Sequence, residues 1–292
     1  MSDGPLLPPP PRGYESRPAS RPVGATDSPR LPDDWSSLTA DAGAPLGPDA
    51  GGGTDAGAPA RGHGFRPNDI FLGLGLSAAA FFITFGIGIG IFEAIEPDPT
   101  ENDDFVAIAI IVVFVDLFAL ILAPFFVLRG RDAARLVGLR APTIPALGWG
   151  LAALIASWIS LAVYQVIIDA IDVEALEPVS AIDGDDEFTV LAAVLTGVAV
   201  MVMAPISEEI FHRGFLVGAI ARRFGVVVGV VVSAAIFSAL HFDVGSLIPF
   251  FLVGVIFAVA YVKSGNLWAS ISAHFVFNLV AFIVTVTDRG IV

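Results

Sequence analysis

Cysteine is absent from the 292 residues, lysine occurs once, at Lys263, and charged residues make up only 15% of the chain. Without cysteine there are no disulfides, no thiolate nucleophile and no thiolate metal site. With a net charge of −14 and almost no lysine, there is no basic surface to hold a phosphate backbone, so no nucleic-acid partner is expected. Charge is replaced by apolar residues, which reach 55%. That is too much for an ordinary soluble domain. Residues 1–66 are the exception. Rich in Pro, Gly, Asp, Ala and Arg, with Pro8–Pro11 and Gly51–Gly53 as punctuation, they have too little apolar surface to offset the entropy of ordering. They read as a disordered tail. They also lack the early apolar core of a cleaved signal peptide, so the first apolar stretch is expected to act as an uncleaved anchor.

Apolar stretches long enough to approach or cross a bilayer occur at about 70–92, 105–128, 146–168, 188–207, 226–241, 246–262 and 267–287. No ten-residue alternation of a barrel strand is present. The expected fold is an all-α polytopic membrane protein with about seven transmembrane helices (six to eight) around a polar intramembrane site. Three regions are expected: the tail 1–66, a first group of helices with a basic loop over 67–140, and a site-bearing core over 141–292. Arg129, Arg131, Arg135 and Arg140, then Arg222 and Arg223, then Lys263 alternate with acidic loops at 96–104 and 174–187. Basic loops stay in the cytoplasm, which predicts a multi-pass cell-membrane protein with a cytoplasmic N-terminus. Gly86 and Gly90, four apart in the first stretch, are spaced for close helix packing. Asp116, inside the second, is read as a packing contact or part of a proton path.

Polar residues inside apolar sequence are costly and mark sites. Glu208, Glu209 and Arg213 form one cluster, Phe237 and His241 a second, His274 and Asn278 a third. Glu209 and Arg213 are four apart and share a helix face, so they can pair. Glu208 points about 100° away and is left for other work. Pro205 should loosen the helix and free a carbonyl near Met201. A turn is expected at Arg222–Gly225. Glu208 lies about 16 residues before it and His241 about 17 after, so both stand roughly 24–25 Å from it. A hairpin then sets the carboxylate beside the imidazole, where the two can hold and deprotonate water. Hydrophobicity alone sets Glu208 and His241 at opposite membrane levels; a long fourth helix would reconcile them. His274 and Asn278 leave one face of the last helix as hydrogen-bond donors able to stabilise an oxyanion.

The motifs Glu-Glu-x-x-x-Arg at 208–213, Phe-x-x-x-His at 237–241 and His-x-x-x-Asn at 274–278 resemble those of the CAAX prenyl protease 2 family, the CPBP or Abi intramembrane glutamic proteases. The resemblance covers about residues 140–287. It implies a metal-independent peptidase with no cofactor, embedded in the lipid bilayer and acting on a membrane-associated peptide or protein, prenylated in some relatives. By motif, Glu208 would be the base that activates water and His241 its partner. His274 and Asn278 would form the oxyanion hole, with Glu209, Arg213 and Phe237 supporting. His212 falls at a variable motif position and is read as a bystander, and the tail has no counterpart in the motif-bearing core. Two alternatives stay open: a zinc-dependent membrane protease using Glu208, Glu209, His241 and His274, and a non-catalytic immunity or transport protein with the glutamates as a relay.

Overall fold

The computed structural model describes residues 64–95, 101–129, 131–178 and 189–290. Most of the expected tail and parts of both acidic loops lie outside the described residues. The described chain is helical throughout, with no strand among the described residues. Helix α1 spans Asp69–Ile95. Helix α2 begins with Glu101–Val115 and continues through a widened π-turn, Asp116–Leu122, into Ala123–Val127. A short turn, α3, covers Ala133–Leu136, and α4 runs from Ile144 to Ile171. Helix α5 is a single rod over Val190–Phe224, widened at Val198–Met203 and again at Glu209–Val217. Helices α6 (Val226–Ala239), α7 (Leu247–Ser264) and α8 (Trp268–Arg289) complete the bundle.

Six of these helices are long and apolar enough to cross a membrane. The stretch expected at 226–241 is helical only over Val226–Ala239. Its 14 residues extend about 21 Å, short of a hydrocarbon core of about 30 Å. The surface is inverted relative to a soluble protein: Phe71, Phe82 and Ile144 are 70%, 72% and 87% exposed, whereas Glu209, His212 and Arg213 are buried. Large apolar side chains facing outward, with polar groups enclosed, fit a lipid surround. The protein is a multi-pass membrane protein.

Helix α5, the fourth of the apolar stretches, has the length that the levels of Glu208 and His241 called for. It runs unbroken for 35 residues, so the two glutamates sit near its middle. The expected turn follows at Gly225, whose φ of 91° is open to glycine at little cost. Helix α6 then folds back against the Glu209–Val217 segment of α5. Helices α4, α7 and α8 pack on one another through small residues, Ala146, Ala153, Ala260, Ala269 and Ala273, around Phe257. Small side chains let helix backbones approach where no hydrophobic effect drives them together.

Phe65, at the end of the segment read as a tail, is buried against Phe215 and belongs to a core with Leu128, Val137 and Leu216. Arg131 of the basic loop forms a buried two-pronged ion pair with Asp69 (2.7 and 3.2 Å) and donates to the carbonyls of Gly64 and Val127. One expectation needs correction. In α1 it is Gly88 that meets α2, where an added Cβ would lie 2.5 Å from Ile111, while Gly86 and Gly90 face open space. Four-residue spacing sets two glycines on one face but does not say which face turns inward.

Candidate active site

Pro205 organises the central helix. In the widened turn before it, the amide of Ala204 donates to Ala199, five residues back. The next bond in that register would run from residue 205 to the carbonyl of Val200, and proline has no N–H to give. The Val200 carbonyl is taken instead by Asn278, whose Nδ2 donates to it at 2.8 Å. The freed carbonyl expected near Met201 is thus one residue earlier, because the turn is wide. Beyond Pro205, Ser207 returns its hydroxyl proton to Met203 (2.8 Å) and Ala204 (3.1 Å).

Glu209 and Arg213 pair as their spacing predicts, with Nη1 donating to Oε1 at 2.8 Å and both side chains essentially sealed. The same carboxylate oxygen accepts a hydrogen bond from His274 Nδ1 at 2.9 Å. His274 therefore binds Glu209 through one nitrogen and turns the other, Nε2, to Glu208, 3.9 Å from Oε2. That oxygen of Glu208 is buried without a hydrogen-bond partner, yet the side chain is 20% exposed against 0% for Glu209. One carboxylate is locked into the fold and its neighbour is open.

Phe237 is the hub of the aromatic side of the site. The Arg213 guanidinium lies 4.4 Å from its ring centre. Around it stand the imidazoles of His212 (5.3 Å), His241 (5.0 Å) and His274 (6.1 Å). His241 lies in the turn after α6 rather than on the helix, edge-on to Phe250. Its Nδ1 is 2.8 Å from the Phe237 carbonyl. A carbonyl can only accept, so Nδ1 carries the proton and Nε2 presents a lone pair. Helix α8 places His274 and Asn278 on its α5-facing side, the first against Glu209 and the second against Val200.

Two residues gain weight from the structure. His212, read as a bystander, is buried against the rings of Phe211 and Phe237. It is four residues from Glu208, a spacing visible in the sequence. Asp116 is also buried, with its segment of α2 packed on Ala204–Glu208. No group of three or more His, Asp or Glu side chains among the described residues is arranged to hold a metal ion.

With this geometry in hand, comparison with known proteins is specific. Residues 190–280 match the family model described as type II CAAX prenyl endopeptidase Rce1-like. The matched segment carries all seven candidate residues from Glu208 to Asn278 and runs from the start of α5 into α8. The chain is also similar to "Putative membrane peptidase YdiL" of Bacillus subtilis (strain 168), at 30% identity over 77 residues, 26% of this chain and 32% of that protein. It therefore covers about a third of the length of the curated relative it matches. No solved structure matches the chain. Asp116 and helices α1 to α4 lie outside the Rce1-like segment.

Proposed function

We propose that the protein is an intramembrane endopeptidase that hydrolyses a peptide bond of a membrane-associated substrate with an activated water and no metal ion. The observation that carries this is the open Glu208 carboxylate, buried in an Rce1-like segment with an unpartnered oxygen 3.9 Å from His274 Nε2. Glu208 takes a proton from water as the oxygen attacks the scissile carbonyl, and the proton passes on to the leaving amine. His241, with Nδ1 committed to a carbonyl, uses the Nε2 lone pair to orient that water. His274 is held by Glu209 through Nδ1 and donates to the oxyanion from a protonated Nε2. Asn278 spends one amide hydrogen on Val200 and keeps another for the same oxyanion. Glu209, Arg213 and Phe237 hold His274 and His241 in place.

The substrate is a peptide or protein at the membrane, and prenylated peptides are the first to test. The alternating basic loops support a cytoplasmic N-terminus in a cell-membrane protein. The decisive assay is cleavage of a fluorescently labelled lipidated peptide by the protein reconstituted in liposomes, with and without chelator. Removal of the general base costs about 10²–10⁴ in rate, so Glu208→Gln should lower turnover by at least that much without lowering thermal stability. Unchanged cleavage by Glu208→Gln refutes the assignment, and loss of activity on chelation moves it to a metal protease.

A further inference from the structure

Where the described backbone passes through the left-handed region it uses glycine, at Gly138, Gly225, Gly265 and Gly290, with two exceptions. One is Asp172, which closes α4 and whose short polar side chain tolerates that region. The other is Phe242, with a φ of 54°. A bulky side chain is strained there, and glycine would remove the cost. The turn after α6 holds the strain in place. The Asp243 carboxylate accepts from the amides of Ser246 (2.9 Å) and Gly245 (3.2 Å) and from the Ser246 hydroxyl. Ser238 donates to the Leu247 carbonyl, and the Tyr164 hydroxyl reaches that of Gly245. None of these contacts uses the Phe242 ring, which is 79% exposed and meets no other ring among the described residues. Exposed apolar side chains cover the whole bundle, so exposure alone says nothing. A strained backbone that serves only to present an exposed ring points to a role outside the fold.

We propose that Phe242 is a specificity-determining residue, its ring packing against an apolar substrate side chain next to the scissile bond. This rests on the peptidase reading of the site. Of Glu208, His241, His274 and Asn278, only His241 is exposed, so the site opens on its side. Phe242 follows His241 directly, with Cα atoms about 3.8 Å apart. Leu240 and Val244, at 43% and 63% exposure, extend the same apolar rim. Helix α6 begins where the α5 span ends and is too short to cross, so the rim stays in the apolar zone of the bilayer. A reacting carbonyl must come within about 3–3.5 Å of the attacking water, which His241 orients, and a side chain flanking that carbonyl then arrives at the rim. The left-handed backbone fixes the direction in which the ring leaves the turn, so the ring is ready before substrate binds. An apolar side chain gains packing against it, whereas a polar one would be stripped of its hydrogen bonds.

The test is steady-state cleavage by the full-length protein in liposomes, together with thermal unfolding. The probe is a fluorescently labelled lipidated peptide carrying leucine or serine beside the bond that mass spectrometry shows to be cut. Phe242→Gly should melt about 2–4 °C higher, because the strain is relieved. It should nevertheless lose at least about tenfold in kcat/KM on the leucine peptide, through KM, and less than about threefold on the serine peptide. Phe242→Asn, which also tolerates the left-handed region, should match it, and Phe242→Leu should keep most of the preference for leucine. A lower melting temperature in Phe242→Gly would make the ring a structural part of the turn and overturn the proposal. Equal slowing of both peptides would overturn it too, since the ring would then act through His241. So would unchanged kinetics on the leucine peptide, which would leave the ring facing lipid alone. A wild-type protein that cuts neither peptide counts against the peptidase reading and takes this proposal with it, whereas the comparison of variants of an active protein tests Phe242 alone.

Discussion

Arg213 is the residue whose removal should hurt most, and its neighbourhood sets the size of the effect. Its guanidinium donates to Glu209 and lies over the ring of Phe237, with both charged side chains sealed from solvent. Arg213→Leu deletes the cation and leaves the Glu209 carboxylate buried, still bonded to His274. Removing one member of a buried ion pair costs about 3–5 kcal/mol, and the lost cation–π contact lies within that figure. A chain of this size loses about 2–4 °C in Tm per kcal/mol, so the variant should melt about 10 °C lower. The double variant Glu209→Gln with Arg213→Leu removes the orphaned charge as well and should recover at least about 2 kcal/mol. Thermal unfolding in nanodiscs reads this directly through tryptophan fluorescence, since Trp158 on α4 stacks at 4.9 Å on Phe277 of α8. Arg213→Lys keeps the charge but not the planar fork, and should fall between. A double variant no more stable than Arg213→Leu would refute the picture of a charge stranded by its missing partner.

Two further outcomes follow from contacts that are as specific. Asn278→Ala strands the Val200 carbonyl and should cost about 1–3 kcal/mol; Pro205→Ala supplies the missing backbone N–H, so in that background the loss should shrink, and strictly additive melting shifts would show that the two residues are not coupled. Gly245→Ala forces a Cβ to within 1.9 Å of the Glu177 carbonyl oxygen and breaks up a junction where the Tyr164 hydroxyl bonds to the carbonyls of Leu176 and Gly245. It should lower stability by about 1–3 kcal/mol, and an unchanged melting temperature would show that this loop contact is loose.

The parts of this molecule that local pattern controls were legible in its sequence. Hydrophobic runs placed the helices, Arg222–Gly225 marked the turn, and a four-residue spacing paired Glu209 with Arg213. What escaped was decided by contacts between helices. His274 could reach either of two adjacent glutamates, and only the rotation of α8 against α5 assigns its Nδ1 to Glu209 and its Nε2 to Glu208. The widened turns leave no mark on apolar periodicity over so few residues, so the carbonyl freed by Pro205 was expected one position too late. His241 was expected on a helix because its stretch is apolar up to that residue. Helix α6 ends at Ala239, and the ring caps back on Phe237 from the turn. Asp116 was visible as a charge in an apolar run, but the packing of its turn on Ala204–Glu208 is a contact between helices that residue spacing does not encode.

Each widened turn in α5 also acts as a one-residue slip in the helical phase. Five residues occupy the arc where four would ordinarily close a hydrogen bond, so everything downstream is rotated by about 100° relative to a regular helix. The face presented by Val190–Gly197 and the face presented by Ser207–Arg213 are therefore not continuous along the rod. Deleting a single residue between 198 and 203 would leave the helix long enough to cross the bilayer but would swing Glu208, Glu209 and Arg213 round together, out of register with His274. The chemistry of the bundle centre is thus fixed by one extra residue in a segment that carries no charge at all.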